Sequence, residues 1–417
     1  MINPDVTRYP AEAIERAVRE FETPFFLYEE DMIRRNCRMF TDAFGPLFPG
    51  FQPMFAVKGC PNPNIIRIIL SEGWGLECSS HSELWLARQL GSPPVYHTSN
   101  FTHPDELRCA LGMGNVLIDL DDISILETVR GIHVPEFLSF RINPGITSST
   151  MKSTLLAGPD AKFGIPWEKA VEAYHRAKDA GVKRFGIHMM TGSNVAEESY
   201  FSGVTAKLLD IAADVSAEVG INFETINIGG GFNVPYRPEQ PTFLLATIAK
   251  QVREVFDQQC RRHRMKEPQL MVEPARRVTA DAGFLVGTVQ VIKNGYKKFV
   301  GLDVSTNAMP RTAIYTAYHH ISVLGKTPDS PMETVNVTGS ICENNDQWCI
   351  DRPLPAMNVG DTVVIHNCGA HGYAMGHNYN GKIRPAEYLL ESSGTFRQIR
   401  RAETFEDLYR TVVPPLA

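Results

Sequence analysis

The chain has 417 residues, 43% of them hydrophobic and 21% charged, a composition ordinary for a globular protein with room for a sizeable core. Lys plus Arg number 41 and Asp plus Glu 47, and the resulting −6 is spread along the chain in short runs such as Arg261-Arg262, which argues against a nucleic-acid partner or an anionic membrane surface. The first 21 residues lack an apolar signal core, and no apolar stretch reaches the roughly 18 residues of a membrane helix, so a cytoplasmic, non-membrane protein is expected.

Cysteines fall at 37, 60, 78, 109, 260, 342, 349 and 368, and no pair has CxxC spacing. No metal is expected, and reduced thiols are the expected state. The sequon Asn336-Val337-Thr338 then carries no meaning.

In chain order, the first 30 residues end in a strand-like run, Phe25-Phe26-Leu27-Tyr28, assigned here to a later β domain. From residue 50 onward, short apolar runs recur at 52–57, 74–78, 95–98, 115–119, 137–142, 185–190, 225–228 and 269–273. Helical patterns lie between them, as at 63–71, 82–90, 166–180 and 206–219. Strand–helix alternation argues for parallel strands. Eight such units argue for a closed (β/α)8 barrel, with a doubly wound open sheet as the other arrangement. After residue 275 the texture becomes Val-, Thr- and Gly-rich, with strand-like runs at 287–293, 298–303, 334–339 and 362–367. Pro353, Pro355 and the turn Asn358-Val359-Gly360-Asp361 separate the last two, and an antiparallel β domain is expected. The expected domains are an N-terminal segment 1–30, a barrel 31–278 and a β domain 279–417.

Catalytic groups of a barrel sit where its strands end. The first strand ends Phe55-Ala56-Val57-Lys58. Desolvation there lowers a lysine's pKa and makes its amine nucleophilic, although a lysine with a packed stem and a wet head is the plainer reading. The sixth run leads into Thr191-Gly192-Ser193-Asn194 and the seventh into Gly229-Gly230-Gly231. Three glycines let backbone N–H groups close on an anion, with the dipole of a following helix to help; a tight turn is the alternative. The eighth ends Glu273-Pro274-Ala275-Arg276. A carboxylate buried there needs a cation, either Arg276 or Arg277 or a protonated ring nitrogen of a guest. An amine, a phosphate cradle and a carboxylate around one mouth suit pyridoxal phosphate, which offers an aldehyde, a phosphate and a ring nitrogen.

These motifs, together with Cys342-Glu343-Asn344-Asn345-Asp346, Gly369 to Glu387 (GAHGYAMGHNYNGKIRPAE) and Asn307 to His319 (NAMPRTAIYTAYH), resemble a known group. It holds diaminopimelate decarboxylase, ornithine decarboxylase and alanine racemase, and the likeness runs in order from about residue 25 to 400. The first of these is the most similar. The resemblance implies a pyridoxal-phosphate-dependent decarboxylase: a barrel followed by a β domain, assembled as a homodimer with shared active sites. It implies that Lys58 holds the cofactor and that His188, Met190, Ser193, Gly229, Gly230, Gly231, Glu273, Arg276 and His371 surround it. Arg276, Arg311, Tyr315, Glu343 and His371 would contact an amino-acid substrate. Two guanidiniums and a phenol suit a carboxylate, and a glutamate suits an ammonium. Cys342 would protonate the α-carbon after CO2 leaves. On their own, Arg311 reads as a surface ion pair and Cys342 as an inert buried thiol.

Two positions depart from the family pattern. Met190 stands where the group carries a ring-stacking histidine, and His371 where it carries the tyrosine of a GAY motif. They point toward a specialised relative, such as a D-ornithine, D-lysine or other diamine-forming or secondary-metabolite decarboxylase. A racemase of the same fold and a non-catalytic pyridoxal-phosphate carrier are weaker alternatives. The first needs a second base, and the second lacks a β domain.

Overall fold

The computed structural model describes residues 3–146, 156–327 and 329–413. The chain divides into two compact units, one of Arg34–Asn233 with Phe243–Arg277, the other of Met1–Ile33, Val234–Thr242 and Val278–Ala417.

The first unit is a closed barrel of eight parallel strands. They are β1 (Gln52–Ala56), β2 (Gly75–Cys78), β3 (Val95–His97), β4 (Val116–Leu120), β5 (Phe137–Asn143), β6 (Arg184–His188), β7 (Phe223–Asn227) and β8 (Gln269–Val272). Each pairs in parallel with the next, and β8 returns to β1 through Met271↔Gln52 and Val272↔Pro53. All eight apolar runs of the sequence are these strands. Their continuous burial explains why they read as apolar runs rather than alternating ones; all seven residues of β5 are buried.

Helices wrap the strands for local reasons. Pro63–Ser71 follows the Lys58 turn, with Pro63 in its first turn and Asn62 capping the Asn64 N–H. It buries Ile65, Ile66, Ile68 and Ile69, each worth about 1.5–3 kcal/mol when removed from water. The helix read at 206–219 runs from Tyr200 to Val219 and stops at Gly220, whose φ of +67° ends it in a left-handed turn. Phe201 of that helix stacks on Phe232 with centroids 4.1 Å apart, and Phe40 meets Phe232 edge-on at 4.9 Å. This aromatic contact anchors the chain immediately after the glycine triplet.

The second unit is built on a nine-stranded sheet. Phe25–Glu29 lies inside it, antiparallel to Gly283–Asn294 and parallel to Ala386–Leu390. Lys298–Leu302 and Met332–Thr338 are also parallel, so the sheet is mixed where an antiparallel one was expected. The helix Ala11–Glu20 lays Ile14 and Ala17 on Phe25, Leu27, Phe284, Val286 and Val364. Pro353 and Pro355 lie inside a strand, Gln347–Pro355, and not between strands as expected. Among the described residues that strand pairs on one side only, with Met332–Thr338, and an edge position tolerates residues that cannot donate. All eight cysteines are free thiols. Among the described residues, no helix is long and apolar enough to cross a membrane.

His366 in this unit is buried beside His320, with ring centroids 4.9 Å apart. Burial and the neighbouring His320 push His366 down to about 3. Burial and Arg352 push His320 down to about 4. Both stay neutral in the folded chain, while an unfolded histidine takes a proton below about 6.5. Stability is therefore held above about pH 6.5 and lost as pH falls toward the folded values, each unit weighing about 1.4 kcal/mol per group. Thermal unfolding should show Tm falling through that window. His366→Gln should flatten the fall, and an unchanged slope would show that these histidines do not set it.

Candidate active site

Lys58 sits in the single turn Val57–Gly59 that directly follows β1. A Cβ on Gly59 would lie 2.5 Å from the Ala275 Cβ, so glycine allows this turn to approach the end of β8. The Lys58 ammonium forms an ion pair with Glu77, in the middle of β2. Glu77 is fully buried, and its second oxygen accepts the Thr98 hydroxyl at 2.7 Å. Burial alone would lower the Lys58 pKa, but the charges of Glu77 and Glu273 outweigh it and hold the amine above its ordinary value. The lowered pKa expected from sequence is thus reversed, and Glu77 is the reason.

The other even strands also deliver ionisable groups to the barrel interior. Asp119 comes from β4, His188 from β6, and Glu273 from the residue after β8, all buried. This is the alternate-strand layering of a closed barrel. Asp119 Oδ2 lies 2.9 Å from His188 Nδ1, and His188 Nε2 lies 3.6 Å from Glu273 Oε2. Asn227, at the end of β7, donates to the remaining Glu273 oxygen at 2.7 Å and accepts the Gly229 N–H at 2.9 Å. Burial raises Glu273 above the ordinary carboxyl range, while His188 pulls it back.

The glycine triplet is shaped by its neighbours. Gly229 and Gly231 have φ of +71° and +94°, values that favour glycine. A Cβ on Gly230 would lie 2.6 Å from the Glu273 carbonyl oxygen, and one on Gly231 would lie 2.7 Å from that of Gly192. The Gly230 N–H donates to Met190 Sδ at 3.1 Å. No helix follows the loop directly, contrary to expectation; the next begins at Leu245. Any anion here would therefore be met by the loop's own N–H groups rather than by a helix dipole. Beside the loop, Arg276 donates to the Ser193 hydroxyl at 3.4 Å. The barrel thus gathers Lys58, His188, Met190, Ser193, Gly229, Gly230, Gly231, Glu273 and Arg276. Sequence reasoning missed Glu77, Asp119, Asn227 and Thr98.

The remaining candidates belong to the sheet unit. Arg311 is buried, donates to Tyr236 Oη at 2.7 Å and His319 Nε2 at 3.1 Å, and lies over the Tyr236 ring at 4.7 Å. It is not the surface ion pair of the plain reading. Tyr315 ends the short helix that Arg311 begins. Cys342 and Glu343 are exposed, so Cys342 is not a buried thiol. Their loop is pinned by buried Asp346, which accepts the Thr306 and Ile341 N–H groups at 2.7 and 2.8 Å. His371 has a φ of +54° between two tight glycines: a Cβ on Gly369 would lie 1.9 Å from Thr279 O, and one on Gly372 would lie 2.1 Å from Cys368 O. Tyr236, His319 and Asp346 had no assigned role in the sequence reading. Among the described residues, no cluster of His, Cys, Asp and Glu is arranged to hold a metal ion.

Residues 30–280 match the family described as "Pyridoxal-dependent decarboxylase, pyridoxal binding domain". Protein TabA of Pseudomonas amygdali pv. tabaci is 38% identical over 399 residues, covering 94% of this chain and 92% of that protein. The diaminopimelate decarboxylase of Methanothermobacter thermautotrophicus is 36% identical over 404 residues, covering 96% and 94%. The crystal structure of diaminopimelate decarboxylase from M. jannaschii in co-complex with L-lysine superposes with a TM-score of 0.88 at 30% identity, covering 96% of this chain and 94% of that one. A family match across more than half the chain, with relatives above 30% identity along nearly all of it, settles the membership: the chain belongs to the pyridoxal-phosphate-dependent decarboxylases.

Proposed function

We propose that this enzyme removes CO2 from an amino acid whose far end carries both an amine and a carboxylate, as in meso-diaminopimelate. The observation that carries the reading is the barrel mouth, where the Lys58 amine, buried Glu273 and the glycine loop Gly229–Gly231 converge. Three glycines whose Cβ space is filled by backbone or sulfur, and a buried carboxylate, fit the phosphate and ring nitrogen of pyridoxal phosphate. The names of the two diaminopimelate decarboxylases, one of them seen with L-lysine, support the substrate class.

When bound, the cofactor supplies an aldehyde carbon for an amine and a ring that takes up the electron pair left as CO2 departs. Lys58 would hold that aldehyde carbon, and Glu77 takes the charge of the Lys58 ammonium whenever the amine is released. The loop N–H groups, with Ser193 and Arg276, would hold the phosphate. Glu273, oriented by Asn227 and flanked by His188, would hold a proton on the ring nitrogen. Met190 and His371 would border the cofactor. Cys342 delivers a proton to the α-carbon, and Glu343 pairs with the distal ammonium. Arg276, Arg311 and Tyr315 take the distal carboxylate. On the family resemblance, Cys342 and Glu343 would serve the site of a second copy in a homodimer.

A second reading is a specialised decarboxylase acting on a related amino acid. Met190, His371 and the 38% identity to Protein TabA favour it. Measuring CO2 release across meso-diaminopimelate and both enantiomers of lysine and ornithine separates the two.

Three outcomes follow from the assigned roles. Borohydride reduction of the holoenzyme and peptide mapping should place the pyridoxyl group on the peptide containing Lys58; a label on Lys162 would end the assignment. Arg311→Ala should lower kcat/KM for a distal-carboxylate substrate by about 10- to 150-fold, the weight of a charge-assisted contact of about 1.5–3 kcal/mol. An unchanged kcat/KM, or a preference for D-lysine or D-ornithine, would favour the second reading. Finally, mixing inactive Lys58→Ala and Cys342→Ala chains under subunit exchange should restore part of the activity. No recovery would mean that each site is built from one chain.

A further inference from the structure

Asp119, His188 and Glu273 form a line of ionisable groups across the barrel interior, with relative exposures of 2%, 1% and 6%. His188 Nδ1 faces Asp119 Oδ2 at 2.9 Å, and its Nε2, which has no hydrogen-bond partner, faces Glu273 Oε2 at 3.6 Å. The groups around this line are accounted for. The Tyr96 hydroxyl on β3 donates to Asp119 Oδ1 at 3.2 Å and lies 2.8 Å from the Ser139 hydroxyl. Arg141 on β5 lies 4.0 Å from Asp121 and donates to the Met190 carbonyl at 3.2 Å. Lys58 is paired with Glu77, and Asn227 holds the other oxygen of Glu273.

With those pairs set aside, two carboxylates and one imidazole remain. A neutral imidazole leaves two uncompensated negative charges in the interior, whereas an imidazolium leaves one. Burial lowers the His188 pKa, but the charges of Glu273 and Asp119 outweigh it and hold the group above its ordinary value.

We propose that Asp119 and His188 are positioning residues that act through Glu273: Asp119 keeps His188 an imidazolium, the imidazolium keeps Glu273 ionised, and the single surplus negative charge selects a protonated ring nitrogen in the cofactor. The positive end of the Asp119–His188 pair points at Glu273 and stabilises its carboxylate. Without Asp119, the imidazole gives up its proton, and Glu273, buried and repelled by Glu77, takes one up. A protonated Glu273 no longer favours a charge on the ring. The proposal rests on the reading that Glu273 faces the ring nitrogen.

The test is the solid-state 15N spectrum of pyridoxal phosphate labelled at the ring nitrogen, bound to the full-length enzyme and followed from about pH 6 to 9. The wild type should keep the pyridinium resonance. In Asp119→Asn and His188→Gln the ring should turn neutral at a midpoint inside this range, where the wild type shows none. Tyr96→Phe, which removes a hydrogen bond but no charge, should match the wild type. A merely structural role would weaken cofactor binding without moving this midpoint. If both charge variants match the wild type while Glu273→Gln gives a neutral ring, the relay is wrong and the Glu273 assignment stands. If Glu273→Gln also keeps the pyridinium, the assignment of Glu273 fails and the relay fails with it. Should Asp119→Asn not fold, His188→Gln alone carries the same expectation.

Discussion

Charge balance inside the closed barrel is the constraint from which the site follows. Closure turns residues of alternate strands toward one another, and here the even strands deliver Glu77, Asp119, His188 and Glu273. An uncompensated charge in such an interior costs several kcal/mol, so each group must find a partner or change its protonation. Glu77 finds Lys58, and Asp119 finds His188. Glu273 shares His188 and receives a hydrogen bond from Asn227, yet burial still raises its pKa. On that count the layer is one positive charge short, a deficit that a cationic ring guest would satisfy. Beneath it, Met54, Tyr96 and Met271 form an apolar cluster.

Much of the barrel was legible in the sequence because parallel strands buried on both faces leave continuous apolar runs. Lys58, the glycine triplet and Glu273 were legible because each ends such a run with a residue that no buried strand end accepts cheaply. Glu77 and Asp119 were not singled out, although the signal was there: a carboxylate inside an apolar strand demands a cation. Asking that question of Glu77 would have found its partner in Lys58 and corrected the direction of the lysine's pKa. The edge strand Gln347–Pro355 was hidden by its prolines, which are strand-breaking only where both sides are paired. The grouping of Val234–Thr242 with the sheet unit left no local trace. It depends on packing of Val234 and Tyr236 against Ala280 and Ala370, residues distant in sequence.

Met190 shows how a departure from a family pattern is accommodated. Its sulfur fills space that a Cβ on Gly229 would occupy, and it accepts the Gly230 N–H. A thioether is a weak acceptor, so it satisfies that donor without competing strongly against an anionic oxygen. Arg141 fixes the Met190 backbone through its carbonyl, which leaves the sulfur's place to the side chain alone. Such a residue carries no proton at any pH.

Arg311 presents the complementary case, a cation whose direction is set before any ligand arrives. His319 donates from Nδ1 to the His366 carbonyl at 2.8 Å, so its Nε2 is the lone-pair nitrogen and accepts from Arg311. A backbone carbonyl thus selects the tautomer, the tautomer turns the guanidinium, and the Tyr236 ring beneath holds its plane. Only a neutral His319 serves this arrangement, because an imidazolium would set two cations against each other in a buried place. The long Arg311 side chain has its conformational entropy spent during folding, so an anion meeting this planar fork would not have to order it.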